Sequence, residues 1–261
     1  MRRRDFLAAS TLAGVGVAID ARKLPAAEDG RAWLEWREYK CVSAKRVKTV
    51  DDFVSGAMMP ALRRLGIGPV GAFRTVYGPD LSTFTLIISH KTLESATTTT
   101  SRLLDDAEVI KAGADFFAQP IDNPPYVRVN TRLLRCFSSM PQVVVPDGAG
   151  TNKPRIVEIR TYQSHNERVT ANKIDQMNHG EAEFFRRSGA PPVFLGETIY
   201  GDGMPSLSYM LAFADMAARD AGWAAFRKDP DWVKLAAVPQ YADNVSGVAD
   251  LILRPTGYSQ I

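Results

Sequence analysis

The sequence predicts an α+β protein made of two tandem β-α-β-β-α-β units, and three observations carry that prediction. Motifs recur at one offset: Arg37 of "EWREY" and Arg160 of "EIRTY" stand 123 residues apart, as do "RRLGIGPVG" (63–71) and "RRSGAPPVF" (186–194), and Tyr77-Gly78 and Tyr200-Gly201. Late in each half, "LLR" (133–135) answers "ILR" (252–254). A repeat of this length is a duplicated domain rather than a solenoid unit. Within each copy, strand-like and helix-like patterns then follow one another in the order of the ferredoxin-like motif. Between the copies, residues 138–154, "SSMPQVVVPDGAGTNKP", are rich in Pro, Gly and Ser and read as a linker. The two units are therefore residues 33–137, the degenerate copy, and 155–261, the better preserved one.

Residues 1–27 read as a secretory signal, with a basic start, an apolar stretch from Phe6 to Ile19 and small residues from Ala21 to Ala27. Arg3, Arg4, Phe6 and Leu7 form a core similar to the twin-arginine export signal, which predicts a bacterial protein exported to the periplasm or cell surface. No apolar run reaches the roughly 20 residues of a membrane span. In copy one, a strand at 33–42 leads to a helix at about 49–65, with Thr49 and Asp52 as its N-cap pattern and Gly66 as its C-cap. Strands at 69–77 and 83–89 follow around "GPD". The next helix contains four consecutive threonines, Thr97 to Thr100, and is expected to be weak or short. Copy two repeats the series: a strand at 155–163, a helix at 167–188 capped by Gly189, and strands at 192–200 and 206–214 around "GDGMPS". Its second helix starts near Asp215, places Arg219, Trp223 and Phe226 on one face, breaks at Asp229-Pro230 and restarts with Trp232 and Leu235 inward. The aromatics on this helix read first as core, packing it onto its sheet.

Cys41 and Cys136 end the first and fourth strands of copy one. Those strands lie antiparallel side by side in this motif, so the thiols stand about 20–25 Å apart, and no intramolecular disulfide is expected. The net charge is +3, with 32 Lys and Arg against 29 Asp and Glu, which gives no basis for nucleic-acid binding. No H-x-H, C-x-x-C, H-E-x-x-H, phosphate-binding loop or G-x-S-x-G spacing occurs, so metal, nucleotide and nucleophile-based hydrolytic chemistry have no motif to rest on.

"VEIRTY", "AARDAGWAAFRKDPDW" and "LRPTGYS" together resemble the NIPSNAP family, strongly over residues 155–259 and faintly over 33–137. The resemblance implies ferredoxin-like domains of the dimeric α/β-barrel group, pairing sheet to sheet, here within one chain. Related barrel families include cofactor-free oxygenases and haem peroxidases, whereas the NIPSNAP family itself has no settled enzymatic activity. Haem is a minor reading, because the G-x-x-D-G motif of the dye-decolorising peroxidases is missing.

Against that expected barrel, the two E-x-R-x-Y strands are the candidate interior site. Side chains two apart share a strand face, so Val157, Ile159 and Thr161 are expected to pack on helices, and Glu158, Arg160 and Tyr162 to point into the barrel. Glu35, Arg37 and Tyr39 repeat the pattern. One role is an ion-pair belt that sets the register between the sheets, with each Arg pairing the Glu two residues before it or the other copy's Glu across the interface. The other is functional, with Arg160 anchoring an anion or carbonyl, Tyr162 donating a proton, His179 acting as base if it turns inward, and Trp223 lining the site. His90 is expected at an exposed strand edge and His165 in a solvated turn. The expected function is an exported NIPSNAP-type protein that binds a small ligand or a protein partner, alone or as a further dimer. The alternative is a cofactor-independent oxygenase or isomerase. No cofactor and no metal are assigned.

Overall fold

The computed structural model describes residues 29–151 and 153–261. The export signal read at Arg3, Arg4, Phe6 and Leu7 lies outside them. Copy one runs β1 (Trp33–Lys40), α1 (Ala44–Phe53), one wider turn of π geometry (Val54–Met58), α2 (Met59–Arg64), β2 (Val70–Tyr77), β3 (Thr83–His90), α3 (Leu93–Leu104), α4 (Ala107–Ala112), α5 (Ala114–Phe117) and β4 (Arg128–Cys136). Copy two runs β5 (Ile156–Gln163), α6 (Glu167–Asn178), α7 (Glu181–Arg187), β6 (Pro192–Tyr200), β7 (Ser206–Phe213), α8 (Met216–Lys228), α9 (Pro230–Ala236) and β8 (Gly247–Pro255).

The eight strands close into one barrel in the order β1-β3-β2-β8-β5-β7-β6-β4. Each copy supplies a four-stranded ferredoxin-like sheet, and the copies join edge to edge through antiparallel β2–β8 and β4–β6 pairs. Closure removes the unpaired edges that either sheet alone would expose. Both joining seams carry a register shift, whereas the β1–β3 and β5–β7 ladders run without one.

Three apolar cores follow. The barrel interior is shared, filled by Leu34, Trp36, Phe73 and Leu134 from copy one and Val157, Ile159, Phe194, Met210 and Leu253 from copy two. The other two cores lie between the outer face of each sheet and that copy's helices. This reverses the predicted strand faces: Val157 and Ile159 fill the barrel, while Glu158, Arg160 and Tyr162 lie on the helix side. Both faces of this sheet are buried, so hydrophobic alternation cannot say which face is inside. The narrow interior of an eight-stranded barrel has to be filled by side chains. The helix layer instead offers partners for charge. The triplets therefore join sheet to helices, and the predicted belt between the two sheets is not formed.

Local signals repeat at the 123-residue offset. Ser43 and Asn166 cap α1 and α6, Thr92 and Asp215 cap α3 and α8, and Asp106 and Asp229 cap α4 and α9, each accepting from a first-turn N–H. The cap expected at Thr49 is thus displaced to Ser43, and the Thr49 hydroxyl donates one turn back to the Lys45 carbonyl. Gly66 and Gly189 take the left-handed conformation after α2 and α7, with φ of +67° and +79°. The predicted single helix at 167–188 breaks at His179-Gly180, where Gly180 has φ +113°; copy one crosses the equivalent point with its π turn. The helix expected to be weak is a full one of 12 residues. Its Thr97, Thr98 and Thr99 hydroxyls donate to carbonyls one turn back, while Ala96, Thr99 and Leu103 are buried against the sheet. Tertiary packing outweighs the low propensity.

Both thiols are free and buried. Trp33 pairs with Arg135 and Lys40 with Arg128, so Cys41 and Cys136 sit at opposite ends of the β1–β4 ladder. Burial pushes the Cys41 thiol up to about 11 and that of Cys136 to about 12.

Candidate functional site

On β5, Glu158 is fully buried. Its carboxylate accepts from Arg219 Nη2 at 2.6 Å, Arg219 Nε at 3.0 Å and Trp223 Nε1 at 2.7 Å, all on α8. With Glu158 engaged this way, Arg160 turns elsewhere. Its guanidinium carbon lies 4.5 Å from the Trp223 ring centre and 5.6 Å from that of Tyr162. Arg160 Nε is 2.8 Å from Asp250 Oδ1 on β8, close enough for an ion pair but off the line of a hydrogen bond. The predicted Glu158–Arg160 pair is therefore replaced by Glu158–Arg219 and Arg160–Asp250. Asp229, which caps α9, pairs with Arg187.

Tyr162 extends this row into a buried polar cluster. The Tyr209 hydroxyl donates to the Tyr162 hydroxyl at 2.6 Å. Lys173 of α6 donates to Gln176 Oε1 at 2.9 Å and to Glu181 Oε2, on α7, at 3.3 Å. The Lys173 ammonium also faces the rings of Tyr162 and Trp232 at 5.5 and 5.4 Å. Lys173 is 3% exposed and Glu181 1%. Burial raises the Glu181 carboxyl above its usual range, opposed by Lys173, and burial likewise raises the Tyr162 hydroxyl and, further, that of Tyr209. Both phenols are thus held as hydrogen-bond donors at neutral pH.

Duplication supplies an internal comparison. At the positions of Lys173, Glu181 and Tyr209, copy one carries Val50, Met58 and Leu86, all buried in its helix–sheet core. The fold holds this layer together with apolar side chains, so the Lys–Glu pair and the second tyrosine are not required to form it. Burying such a pair is no aid to stability over apolar residues of similar volume, which makes the cluster a candidate site.

Copy one treats its own triplet differently. Ala96 and Thr100 stand where copy two has Arg219 and Trp223, so Glu35 lacks those donors. Arg37 Nε donates to Glu35 Oε1 at 2.5 Å, the pairing expected from the sequence, and its Nη2 reaches Thr100 Oγ1 at 3.0 Å. Tyr39 packs in the helix-side core. His90, expected at an exposed edge, is 2% exposed. Its Nδ1 lies 3.0 Å from Ser95 Oγ and its Nε2 3.4 Å from Glu35 Oε2, and it fills the space that Phe213 takes in copy two. His165 is exposed as predicted. His179 does not turn inward: its side chain is 58% exposed at the end of α6, with Nδ1 2.6 Å from the Asp175 carbonyl oxygen, so the base role has no geometry here. Trp223 is a core aromatic against Phe185 and Phe226 that also donates to Glu158.

Lys173, Glu181, Tyr209 and Asp250 escaped the sequence reading. The signal was present, in charged or hydroxylated residues standing at the duplicated positions of Val50, Met58 and Leu86. Two clefts, of about 590 and 330 Å³, open where the linker meets the barrel, and neither is lined by Arg160 or Tyr162. Among the described residues no group of His, Cys, Asp or Glu is arranged to hold a metal ion, and no helix is long and apolar enough to cross a membrane.

The NIPSNAP family profile matches residues 157–260, the second copy. No curated protein matches the sequence significantly. Among solved structures, a candidate monooxygenase of Fusobacterium nucleatum is similar at TM-score 0.56 and 10% identity, covering 87% of this chain and 93% of that one. A second candidate monooxygenase, from Lactobacillus acidophilus, is similar at TM-score 0.53 and 10% identity, covering 86% and 94%. A NIPSNAP family protein of unknown function from Agrobacterium tumefaciens matches 41% of this chain and 94% of its own at 18% identity and TM-score 0.36. At such identities the two full-length likenesses speak for the fold, the dimeric α/β barrel of ferredoxin-like halves.

Proposed function

We propose that this is an exported, NIPSNAP-type binding protein. It holds a small ligand or a partner's side chain at the solvent-reaching rim of the copy-two cluster, where Arg160 is the anchor and the Tyr162–Tyr209 pair supplies a hydrogen-bond donor. The observation that carries this reading is the internal comparison: polar groups are buried at Lys173, Glu181 and Tyr209 where the duplicate folds with Val50, Met58 and Leu86. The layer behind the rim is packed, with Glu158 fully engaged by α8 and neither cleft reaching Arg160, which suits capture better than turnover. Arg160 keeps 20% of its side chain exposed and Asp250 36%, so the rim is reachable.

Likeness in fold to two candidate monooxygenases supports a second reading, a cofactor-independent oxygenase using the same residues. One pair of measurements separates the two. The double variant Arg160→Met/Tyr162→Phe is expected to stay folded and to lose the ligands that the wild-type protein retains on purification, as read by native mass spectrometry. Consumption of O2 by the wild-type protein with hydroquinone substrates, abolished in the double variant, would replace the binding reading with the oxygenase one.

A further inference from the structure

The apolar filling of the barrel stops short of one end. Strands alternate in direction around the ring, so β1 and β5 finish at the same end. Trp36 lies in the shared interior, and side chains two apart share a strand face, so Glu38 and Lys40 carry that inner face on towards the end. Register adds Arg132 opposite Trp36 and Arg128 opposite Lys40 on β4, and Thr85 opposite Glu38 on β3. At the duplicated positions copy two places uncharged residues: Thr161 and Gln163 on β5, Gly247 and Leu251 on β8. The charge at these positions, three cations and one carboxylate, therefore comes wholly from copy one.

Closing the barrel does not require it, because Leu251 stands where Arg132 does. A glycine passes close to each of them: a Cβ added at Gly201 would lie 2.7 Å from Arg132 Cγ, and one at Gly78 2.5 Å from Leu251 Cδ1. Arg132 and Leu251 are both partly exposed, so solvent reaches this level of the barrel. The Arg132 guanidinium carbon is 4.5 Å from the Trp36 ring centre. Only its Nε is shut off from solvent, and among the described residues that atom has no hydrogen-bond partner. Trp36 Nε1 and Thr85 Oγ1 are likewise buried without a partner. In copy two the counterpart of Thr85 is Ser208, whose hydroxyl pairs with that of Thr161 at 2.8 Å. In copy one Glu38 turns to Lys40 instead, with 3.5 Å between carboxylate oxygen and Nζ, and the Thr85 hydroxyl is left over. Guanidinium and indole groups can only donate, and a hydroxyl can donate as well. Donors buried without an acceptor lower stability, and the excess of positive charge makes an anion the acceptor that fits.

We infer that this end of the barrel binds a small oxyanion of the carboxylate class, held by Arg132, with the Trp36 indole N–H and the Thr85 hydroxyl as the donors beside it. A planar carboxylate suits the guanidinium fork. Leu34 and Leu134 fill the barrel behind Trp36, so the ligand is short. The site lies on the opposite face of the sheet from Arg160 and shares no residue with that rim, so either reading can fail alone.

Trp36 is its own probe. The chain has four tryptophans, and Trp36→Phe identifies the indole N–H resonance of position 36 in a nitrogen–proton correlation spectrum of the full chain. Acetate titrated into wild type is expected to shift that resonance saturably and to leave those of Trp223 and Trp232 in place, whereas chloride at the same ionic strength should not move it. Arg132→Leu, which gives copy one the side chain that copy two carries there, should weaken acetate binding about tenfold or more. Thr85→Val should weaken it less, because a neutral donor contributes less than a charged one. Glu38→Thr again follows copy two and removes the one carboxylate; it should tighten binding about two- to fivefold, and it decides the matter if Arg132→Leu does not fold. Arg160→Met should bind acetate as wild type does. No saturable shift in wild type, a shift that chloride reproduces, or unchanged affinity in folded Arg132→Leu or in Glu38→Thr would each overturn the inference, and phosphate binding more tightly than acetate would overturn the carboxylate class.

Discussion

Glu158 shows what a single buried charge does here. Three donors from α8 converge on a carboxylate with no exposed surface. Glu158→Ala leaves Arg219 and Trp223 Nε1 without acceptors inside the layer, and should cost about 3–5 kcal/mol by urea unfolding. Glu158→Gln, which keeps an acceptor of the same shape, should cost less than half of that. Asp229 makes the complementary case, a buried carboxylate whose arginine partner, Arg187, is partly exposed. Its carboxylate is held down to about 2, chiefly by the bond from Arg187 and also by the α9 N–H groups it caps. A carboxylate with a lowered folded-state pKa contributes stability above its unfolded value near 4 and loses it as pH falls towards the folded value. The stability gap between wild type and Asp229→Asn should therefore be constant at neutral pH, narrow from about pH 4 downwards and vanish near pH 2 in pH-resolved denaturation. A gap that persisted below pH 2 would show that Asp229 acts through packing instead. Of these residue-level facts, the E-x-R-x-Y triplets were plain in the sequence and their partners were not. Arg219 lies 61 positions from Glu158, and nothing local says that it, rather than Arg160, will occupy the carboxylate.

Helices in the two copies are held by the same devices at the same offset. Arg64 bridges Asp106 and Glu108 across α2 and α4, and Arg187 bridges Asp229 and Asp231 across α7 and α9. The arginine pairs before Gly66 and Gly189 read from sequence as favourable charges at helix ends; the structure adds that one arginine of each pair also clamps the cap of a later helix. In α3, the threonines that argued for a weak helix are tolerated because one face is buried. Exposed Thr97 makes no contribution to that burial, so Thr97→Ala should stabilise the protein by about 0.5 kcal/mol, measured as a raised urea midpoint. A lower midpoint would mean that its bonds to the Leu93 and Glu94 carbonyls matter more than propensity.

At the scale of the whole molecule, the two copies are halves of one closed barrel. Their shared interior draws on both, and each half ends in the two edges that the other covers. Since β6 corresponds to β2 and β8 to β4, a second half alone carries both complementary edges. Residues 153–261 expressed by themselves should therefore form a two-fold dimer, read by light scattering, with β8 of each chain on β6 of the other. A folded monomer at micromolar concentration would contradict edge complementarity as the source of closure.

The sequence by itself determined the duplication, the order of elements in each copy, both glycine caps and the absence of a disulfide. These rest on local chemistry and on self-similarity, which a single chain displays. Which face of the sheet looks inward was decided only by the tertiary structure, because both faces are buried and alternation carries no sign. The same holds for the cluster of Lys173, Glu181, Tyr162 and Tyr209, whose members come from two helices and two strands. Their charges and hydroxyls are ordinary where the chain is read in line; closure of the barrel and docking of the helices bring them to one place.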